Sequence, residues 1–218
     1  MLSLSILGFL AEQPLHAYEL RNRISGLSGH IRPVSDGALY PALDRLRRAG
    51  FVVRNEAPGS GAARRQVFTL TDAGTQEFLR RLSEPTPVEI TDRDSFMILL
   101  AFLGRLDDPA AQLRVLRRRL SFYDRPASYF YVQGRPLRAD EMADRFRRGM
   151  ITTAAAAKRA DVQWLRAVIA ELEAEIAGRV ERTDRVGRVA RPDRTVAATP
   201  SPRADRTDRA DRARKPPR

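Results

Sequence analysis

Hydrophobic residues in the first part of the chain recur with helical spacing in three separate runs. The first run covers residues 2–13 and ends before Pro14, and the second covers residues 16–26. In the third run, Leu39, Leu43 and Leu46 stand at i, i+4 and i+7. The pattern therefore predicts three amphipathic helices in succession.

The third predicted helix has a marked beginning and a marked end. Ser35 is suited to the N-cap position, and Gly50 follows the last periodic residue, where a glycine stops a helix. Pro41 lacks an amide hydrogen, so we expect a tight or slightly distorted first part of the helix. The face opposite the leucines is polar and mostly basic and carries Tyr40, Asp44, Arg45, Arg47 and Arg48. This face is left for water or for a partner.

Two short runs with strand-like composition follow the third helix. They cover residues 51–54 and 66–70, and the segment between them is rich in glycine and small residues. Arg64 and Arg65 lie on its return side, where they would suit a phosphate backbone. Three helices followed by a hairpin is the order of a winged helix-turn-helix domain, whose third helix enters the major groove. An ordinary hairpin with solvated arginines is the alternative for residues 51–70.

A fourth helix and a possible domain boundary come next. Thr71 is suited to cap a helix over residues 72–83, and the proline-containing segment 84–90 is predicted to separate two domains. Residues 91–94 resemble a capping box at the start of a very apolar helix. These signals predict that the chain continues as a second, helical domain.

The helical domain is predicted to contain two more helices. Asp108 followed by proline is a helix start, and Pro126 is expected to interrupt or kink that helix before the aromatic residues 129–131. Residues 137–178 contain no proline and carry a continuous stripe of apolar or small side chains. At 1.5 Å per residue this last helix would reach about 60 Å.

A helix of that length exceeds the core that its own chain offers, so we expect it to pack against a second copy. The predicted dimer interface consists of Met150, Ala154, Ala157, Trp164, Val168 and Leu172. Trp164, Phe130 and Tyr131 could instead line a pocket between protomers for an unknown small-molecule effector. An aromatic at helical spacing is more often plain interface core.

The predicted fold is therefore mainly α-helical and has three parts. These are a winged helix-turn-helix domain over residues 1–84, a helical dimerisation domain over 91–178, and a disordered low-complexity tail over 181–218. The tail repeats Asp-Arg pairs and has almost no apolar content. It is expected to be a solubilising segment, with a tether for the DNA backbone as the alternative.

Composition changes this picture little. The 218 residues include 39 basic and 27 acidic side chains, for a net charge of +12, but residues 181–218 alone carry 12 of the basic and 6 of the acidic ones. The basic character of the whole chain is therefore weak evidence for DNA binding by its folded part.

The chain contains no cysteine and two histidines. Disulfides and thiolate metal sites are thereby excluded, and a reducing, cytoplasmic setting is the simplest expectation. We expect no cofactor and no metal. The apolar start lacks a basic region and a cleavage site, so it is predicted to be a buried helix rather than a signal peptide. No phosphate loop, metal cluster or paired carboxylates point to an enzyme.

Four short phrases resemble the PadR family of transcriptional regulators. They are LHAYEL at residues 15–20, GALYPALDRL at 37–46, GFV at 50–52 and LTDAG at 70–74. Two departures stand out: Ala17 replaces the family's usual glycine, and the wing lacks the usual tyrosines. The resemblance covers about residues 1–80 and implies a homodimer of the larger subgroup, with a three-helix C-terminal domain.

The resemblance and the winged-helix order together predict a sequence-specific DNA-binding regulator, most often a repressor, that binds double-stranded DNA as a homodimer. The expected DNA-binding residues are His16, Tyr18, Ser35, Gly37, Ala38, Tyr40, Pro41, Arg45, Arg64 and Arg65. His16 is equally compatible with a structural role as a helix cap. The alternative for the whole chain is a winged-helix adaptor that binds a partner protein and has no DNA sequence preference.

Overall fold

The computed structural model describes residues 1–27, 33–57, 65–125 and 128–189. The helices of this part are α1 (Leu2–Glu12), α2 (Ala17–Leu27), α3 (Asp36–Arg48), α4 (Asp72–Ser83), α5 (Pro87–Thr91), α6 (Arg93–Leu103), α7 (Pro109–Tyr123) and α8 (Arg145–Val189). The strands are β1 (Leu15–His16), β2 (Val52–Ala57), β3 (Arg65–Leu70), β4 (Tyr131–Val132) and β5 (Arg135–Pro136). The predicted class, mainly α-helical with a winged helix at the N-terminus, is confirmed.

The winged helix contains a strand that the sequence pattern did not predict. Its sheet is antiparallel with the order β1-β3-β2, in which Leu15 pairs with Phe68 and Val52 with Leu70. His16 therefore lies in β1, and the second helix begins at Ala17 rather than at His16. A strand of two residues is too short to show alternation, and its pairing with β3 is non-local.

The core is organised around α1, which explains why the start of the chain is so apolar. Leu4, Ile6 and Leu7 of α1 are at most 1% exposed. A methyl group on Gly8 would lie 2.6 Å from the ring of Phe102, so glycine here lets α6 pack directly on α1. The buried residues of the winged helix and those of the later helices form one cluster.

The segment between the two predicted domains is not an open linker. It holds the short helix α5, whose Thr86 forms a capping box with Glu89, and Ile90 is buried in the common core. The next helix begins at Arg93 with Asp92 as its cap, because the Asp92 carboxylate accepts a 2.8 Å hydrogen bond from the Ser95 amide. The predicted capping box at 91–94 was therefore wrong, because Asp92 rather than Thr91 is the N-cap residue. The proposed division into domains stays a prediction.

The predicted start of α7 is confirmed, whereas the start of α8 is shifted. Asp108 accepts a 2.9 Å hydrogen bond from the Ala110 amide. Pro126 lies outside the described residues. Of the aromatic residues that follow it, Tyr131 lies in strand β4, which pairs with β5 as a hairpin. The turn of this hairpin has Gln133 and Gly134 at positive φ.

Helix α8 begins after Asp144, whose carboxylate accepts hydrogen bonds from the amides of Phe146 and Arg147. It starts at 145 instead of 137 and continues past the predicted end to Val189. Most of the predicted disordered tail, residues 190–218, lies outside the described residues.

The wing is joined to α4 through a close approach that only glycine allows. The Thr71 hydroxyl donates a 2.7 Å hydrogen bond to the Gly50 carbonyl and accepts a 3.0 Å bond from the Gly74 amide. A Cβ atom on Gly74 would lie 2.0 Å from the carbonyl oxygen of Phe51. The helix would have to move away from the sheet to accept it.

We therefore expect Gly74→Ala to lower the free energy of unfolding by about 3 kcal/mol, the upper end of overpacking costs. Thermal unfolding of the full chain measures the effect. Gly104→Ala is the matched control, since no atom lies within 4 Å of its Cβ position and its φ is −64°. Equal melting temperatures for the two variants would contradict the close approach.

Candidate nucleic-acid interface

Helix α3 separates a buried face from a polar one, as its sequence predicts. Leu39, Ala42, Leu43 and Leu46 are at most 4% exposed and hold the helix against the core. The solvent face carries Tyr40, Pro41, Arg45, Arg47 and Arg48. The helix is thus fixed from behind, and its outer side chains are free to meet a partner.

The first turn of α3 presents bare backbone to solvent. Ser35 is the N-cap residue, as predicted, although its hydroxyl makes no capping hydrogen bond. Gly37 and Ala38 are exposed, and a Cβ on Gly37 would meet only the Ser35 hydroxyl, at 3.9 Å. The chain's own packing does not require this glycine. A site without a side chain at a helix N-terminus lets a phosphate approach the free amides.

Two tyrosines stand out of the surface near this turn. Tyr18 on α2 is 65% exposed and Tyr40 on α3 is 51% exposed. Pro41 follows inside the helix, and because it has no amide hydrogen, the carbonyl of Gly37 loses its usual intrahelical bond. Both phenol groups are suited to donate to phosphate or base edges.

Among the basic residues of α3, Arg45 differs from its neighbours. Asp44 accepts a 2.9 Å bond from Arg47 and a 2.5 Å bond from Arg48. Hydrogen bonding from Arg47 lowers the pKa of Asp44, so this carboxylate is charged at neutral pH. Within the described residues Arg45 has no ion-pair partner. It is the cation of this helix that is available to an anion.

A further arginine, which the sequence pattern did not single out, connects α2 to the start of α3. Arg21 donates a 2.9 Å hydrogen bond to Asp36 and lies over the ring of Tyr18 at 5.2 Å. The pair reduces the repulsion that Asp36 would exert on a polyanion. In the sequence, the only indication of this role was that Arg21 follows Tyr18 by about one helical turn.

His16 is engaged in the sheet. Its Nδ1 donates a 2.9 Å hydrogen bond to the carbonyl of Gln66 on β3, and its own amide donates to the Glu19 carboxylate at 3.3 Å. His16 therefore does not cap α2 with its side chain. One ring nitrogen is used to join β1 to the wing, which leaves Nε2 for any contact with DNA.

The two wing strands, β2 and β3, have equal length and pair from Val52–Leu70 to Ala57–Arg65. Arg64 lies outside the described residues, and for Arg65 the structure describes the backbone at the start of β3. Their role stays a prediction. Arg54, on the exposed side of β2, is a further cation near the C-terminal end of α3, where it lines an open depression with Arg47 and Asn55.

Residues 6–80, which contain all of this surface, match the sequence model of the transcriptional regulator PadR-like family. Over these residues the chain is similar to the PadR-like family. A curated relative, the negative transcriptional regulator PadR of Bacillus subtilis strain 168, is 24% identical over 178 residues, which cover 79% of this chain and 98% of the relative.

Two crystal structures of Bacillus subtilis PadR are also similar to this chain. The complex with operator DNA is 21% identical, covers 78% of this chain and 98% of the other, and has a TM-score of 0.38. The complex with p-coumaric acid is 21% identical, covers 79% and 98% respectively, and has a TM-score of 0.35.

The matching family model is thus one of transcriptional regulators. Across the described ranges, no helix combines the length and apolarity needed to span a bilayer. In the same ranges, His, Asp and Glu side chains form no group of three that could hold a metal ion.

The residues predicted for the dimer interface of this PadR-like protein fall into two groups on α8. Met150 and Trp164 are 49% and 42% exposed. Ala154 and Ala157 are half-buried, and Val168 and Leu172 pack against the chain's own core beside Leu165 and Ile169. The middle part of α8, around residues 165–172, therefore packs against its own subunit.

The aromatic residues suggested for an effector pocket between protomers are not brought together within one chain. Tyr131 is 53% exposed on β4, and its hydroxyl accepts a 3.1 Å bond from the Ser128 amide. Phe130 lies under the Arg147 guanidinium at 5.4 Å. Among the contacts between described residues, none joins either ring to Trp164.

Proposed function

We propose that this PadR-like chain is a homodimeric repressor that reads a pseudo-palindromic operator with its two α3 helices. The observation that carries the proposal is the outer face of α3, where Tyr40 is half exposed and Arg45 is exposed with no ion-pair partner within the described residues. The bare backbone at Gly37 lies one turn before them. This arrangement supplies donors for base edges and for phosphates together.

Repression is the direction of regulation that we infer, because the curated relative is a negative transcriptional regulator. A reader of the major groove represses by occupying DNA that polymerase must use. Because the chain contains no cysteine, we place it in the reducing cytoplasm. The DNA-contacting set extends from α3 to Tyr18, to Nε2 of His16, and to Arg64 and Arg65 of the wing.

The dimer proposal rests on the free stripe of α8. Its 45 residues correspond to a length of about 67 Å, and the first half exposes Phe146 by 71%, with Met150 and Trp164 on the same side. Counting along this stripe gives steps of four and three residues: Phe146, Met150, Thr153, Ala157, Ala160 and Trp164. That spacing is the a/d pattern of a helix that pairs with another helix. Small residues in its middle allow a close approach.

Gel shifts against duplexes selected from a random pool test the proposal. A specific reader keeps its preference for the selected duplex as salt rises, because only the sequence-independent term is screened. The expected specific affinity exceeds the affinity for unrelated duplexes by about a thousandfold or more. A winged-helix adaptor for a partner protein would bind all duplexes alike, and that result would remove the proposal.

Control by a small molecule is a further part of the proposal. An effector would act by favouring a dimer whose two α3 helices no longer match the half-site spacing. Because Trp164 does not meet Phe130 or Tyr131 within one described chain, a pocket built from these rings would need both copies. Titration of the wild-type complex with candidate effectors, read as loss of operator binding without loss of the dimer, tests this part.

A further inference from the structure

One arginine in the helical part of the chain is buried, which is rare for this side chain. Arg119 of α7 is 2% exposed and is the one charged residue in the buried class among those the structure describes. Its neighbours Arg117 and Arg118 are exposed. The burial therefore belongs to a particular position and not to the basic run as a whole.

The Arg119 guanidinium joins three elements of its own subunit. Its Nη1 donates to the carbonyls of Ile90 and Thr91 at 2.6 and 2.9 Å, which caps the C-terminal end of α5. The group lies over the ring of Phe96 on α6, 4.6 Å from its centre. Its Nη2 donates a 2.6 Å bond to the hydroxyl of Tyr123, one turn further along α7.

Tyr123 passes the connection on to α8. Its hydroxyl donates a 2.6 Å hydrogen bond to Asp161, whose carboxylate also lies 3.6 Å from Nη2 of Arg119. Burial and the bond to Asp161 raise the pKa of Tyr123 to about 12, so the phenol stays a donor at neutral pH. Lys158 donates to the Tyr123 carbonyl, one turn before Asp161. The network thus reaches α8 in the middle of its length.

Stability alone does not explain this network. Buried ion pairs are often replaceable by apolar residues at no cost, because desolvation offsets their attraction. Here the Nε atom of Arg119 is also buried without a hydrogen-bond partner among the described residues, which adds a cost. What such a network does supply is a defined geometry, since its hydrogen bonds are satisfied at one relative placement of the helices.

We propose that Arg119 is a positioning residue that, through Tyr123 and Asp161, sets the angle at which α8 leaves the body of the subunit. Since α8 carries the surface assigned above to the partner copy, this angle sets the separation of the two α3 helices. Arg119 thereby determines which half-site spacing the dimer accepts. The inference rests on the proposed dimer and adds the residue that defines its geometry.

The test measures affinity of the full chain for a panel of duplexes. The duplex selected by the wild type is altered so that its half-sites move apart or together by one and two base pairs, and a duplex with a single half-site is included. For the wild type we expect about a tenfold loss for each wrong spacing. Tyr123→Phe removes one hydroxyl and keeps the ring, and Arg119→Met removes the charge at similar length. Tyr129→Phe and Arg118→Met, at exposed positions, are the matched controls.

In both network variants we expect the affinity ratio between the wild-type spacing and the altered spacings to change by about tenfold. The affinity for the single half-site should stay the same. A merely structural role would lower affinity for all duplexes by the same factor, and that outcome overturns the inference. An unchanged profile in Tyr123→Phe also overturns it, even where Arg119→Met does not fold. If the wild type has no spacing preference, the dimer proposal and this inference both fail. If the wild type has the preference and the variants keep it unchanged, this inference alone fails.

Discussion

Arg45→Ala is expected to lower the affinity for the selected duplex by about 10- to 100-fold, the value of losing one arginine contact to a base edge. Arg45 is exposed and unpaired within the described residues, so its removal leaves no buried group without a partner. The fold and the dimer should therefore be unchanged. Combining it with Tyr40→Phe should lower affinity further, because the Tyr40 hydroxyl is the neighbouring donor.

The matched control is Arg48→Ala on the same helix. Arg48 is already paired with Asp44 at 2.5 Å, so its removal frees a carboxylate and should cost much less than the loss of Arg45. Repeating both titrations at several salt concentrations separates base contacts from phosphate contacts, since each lost phosphate contact lowers the salt slope by about one. Equal losses for the two variants would mean that α3 contributes only a diffuse positive charge.

The double substitution Met150→Glu with Trp164→Glu is expected to convert the dimer into monomers and to lower operator affinity by about 100-fold. Both side chains lie on the exposed stripe of α8, so two carboxylates there should not disturb the subunit's own core. In a paired arrangement they would place buried like charges opposite apolar groups. Loss of the second half-site removes the gain from two linked contacts. Sedimentation and gel shifts measure the two effects.

Gln163→Glu with Ala170→Glu is the control for this pair. These positions are exposed on the same helix α8 and lie outside the stripe. Like the stripe pair, they replace two neutral residues by glutamate, so any general effect of acidity would appear here as well. A dimer that survives the stripe variant would show that the two copies associate through another surface.

The sequence predicted those features whose causes lie close together along the chain. The stripe of Leu39, Leu43 and Leu46 was read from helical spacing and is buried as predicted. The same holds for the caps at Thr71 and Asp108, which are set by a residue and the amides two or three positions later. Periodicity and capping are local, so one sequence is enough to find them.

Short elements and turns were missed because they have no periodic pattern. The two-residue strand at Leu15–His16, the five-residue helix at Pro87–Thr91 and the hairpin at 131–136 each depend on partners elsewhere in the fold. His16 illustrates the consequence: its ring bonds to Gln66, fifty residues away. Such a contact cannot be inferred from the composition around the histidine.

Part of the candidate site could be predicted from the sequence. The outward face of α3 follows from the spacing of its leucines. Only the structure shows that Arg47 and Arg48 pair with Asp44, which leaves Arg45 available. Helical spacing gave one indication that Arg119 is buried. It follows the buried Leu116 by three residues and so falls on the buried side of α7. Three consecutive arginines conceal that difference.

By itself the sequence determined the order of the longer helices, the apolar side of each and the face of α3 that meets solvent. Only the tertiary structure decided which charges are neutralised, how β1 joins the wing, and that a buried arginine connects α5 and α7 to the long last helix. The reason is the range of the forces: helix periodicity arises within a few residues, while ion pairing and burial depend on which distant segments the core brings together.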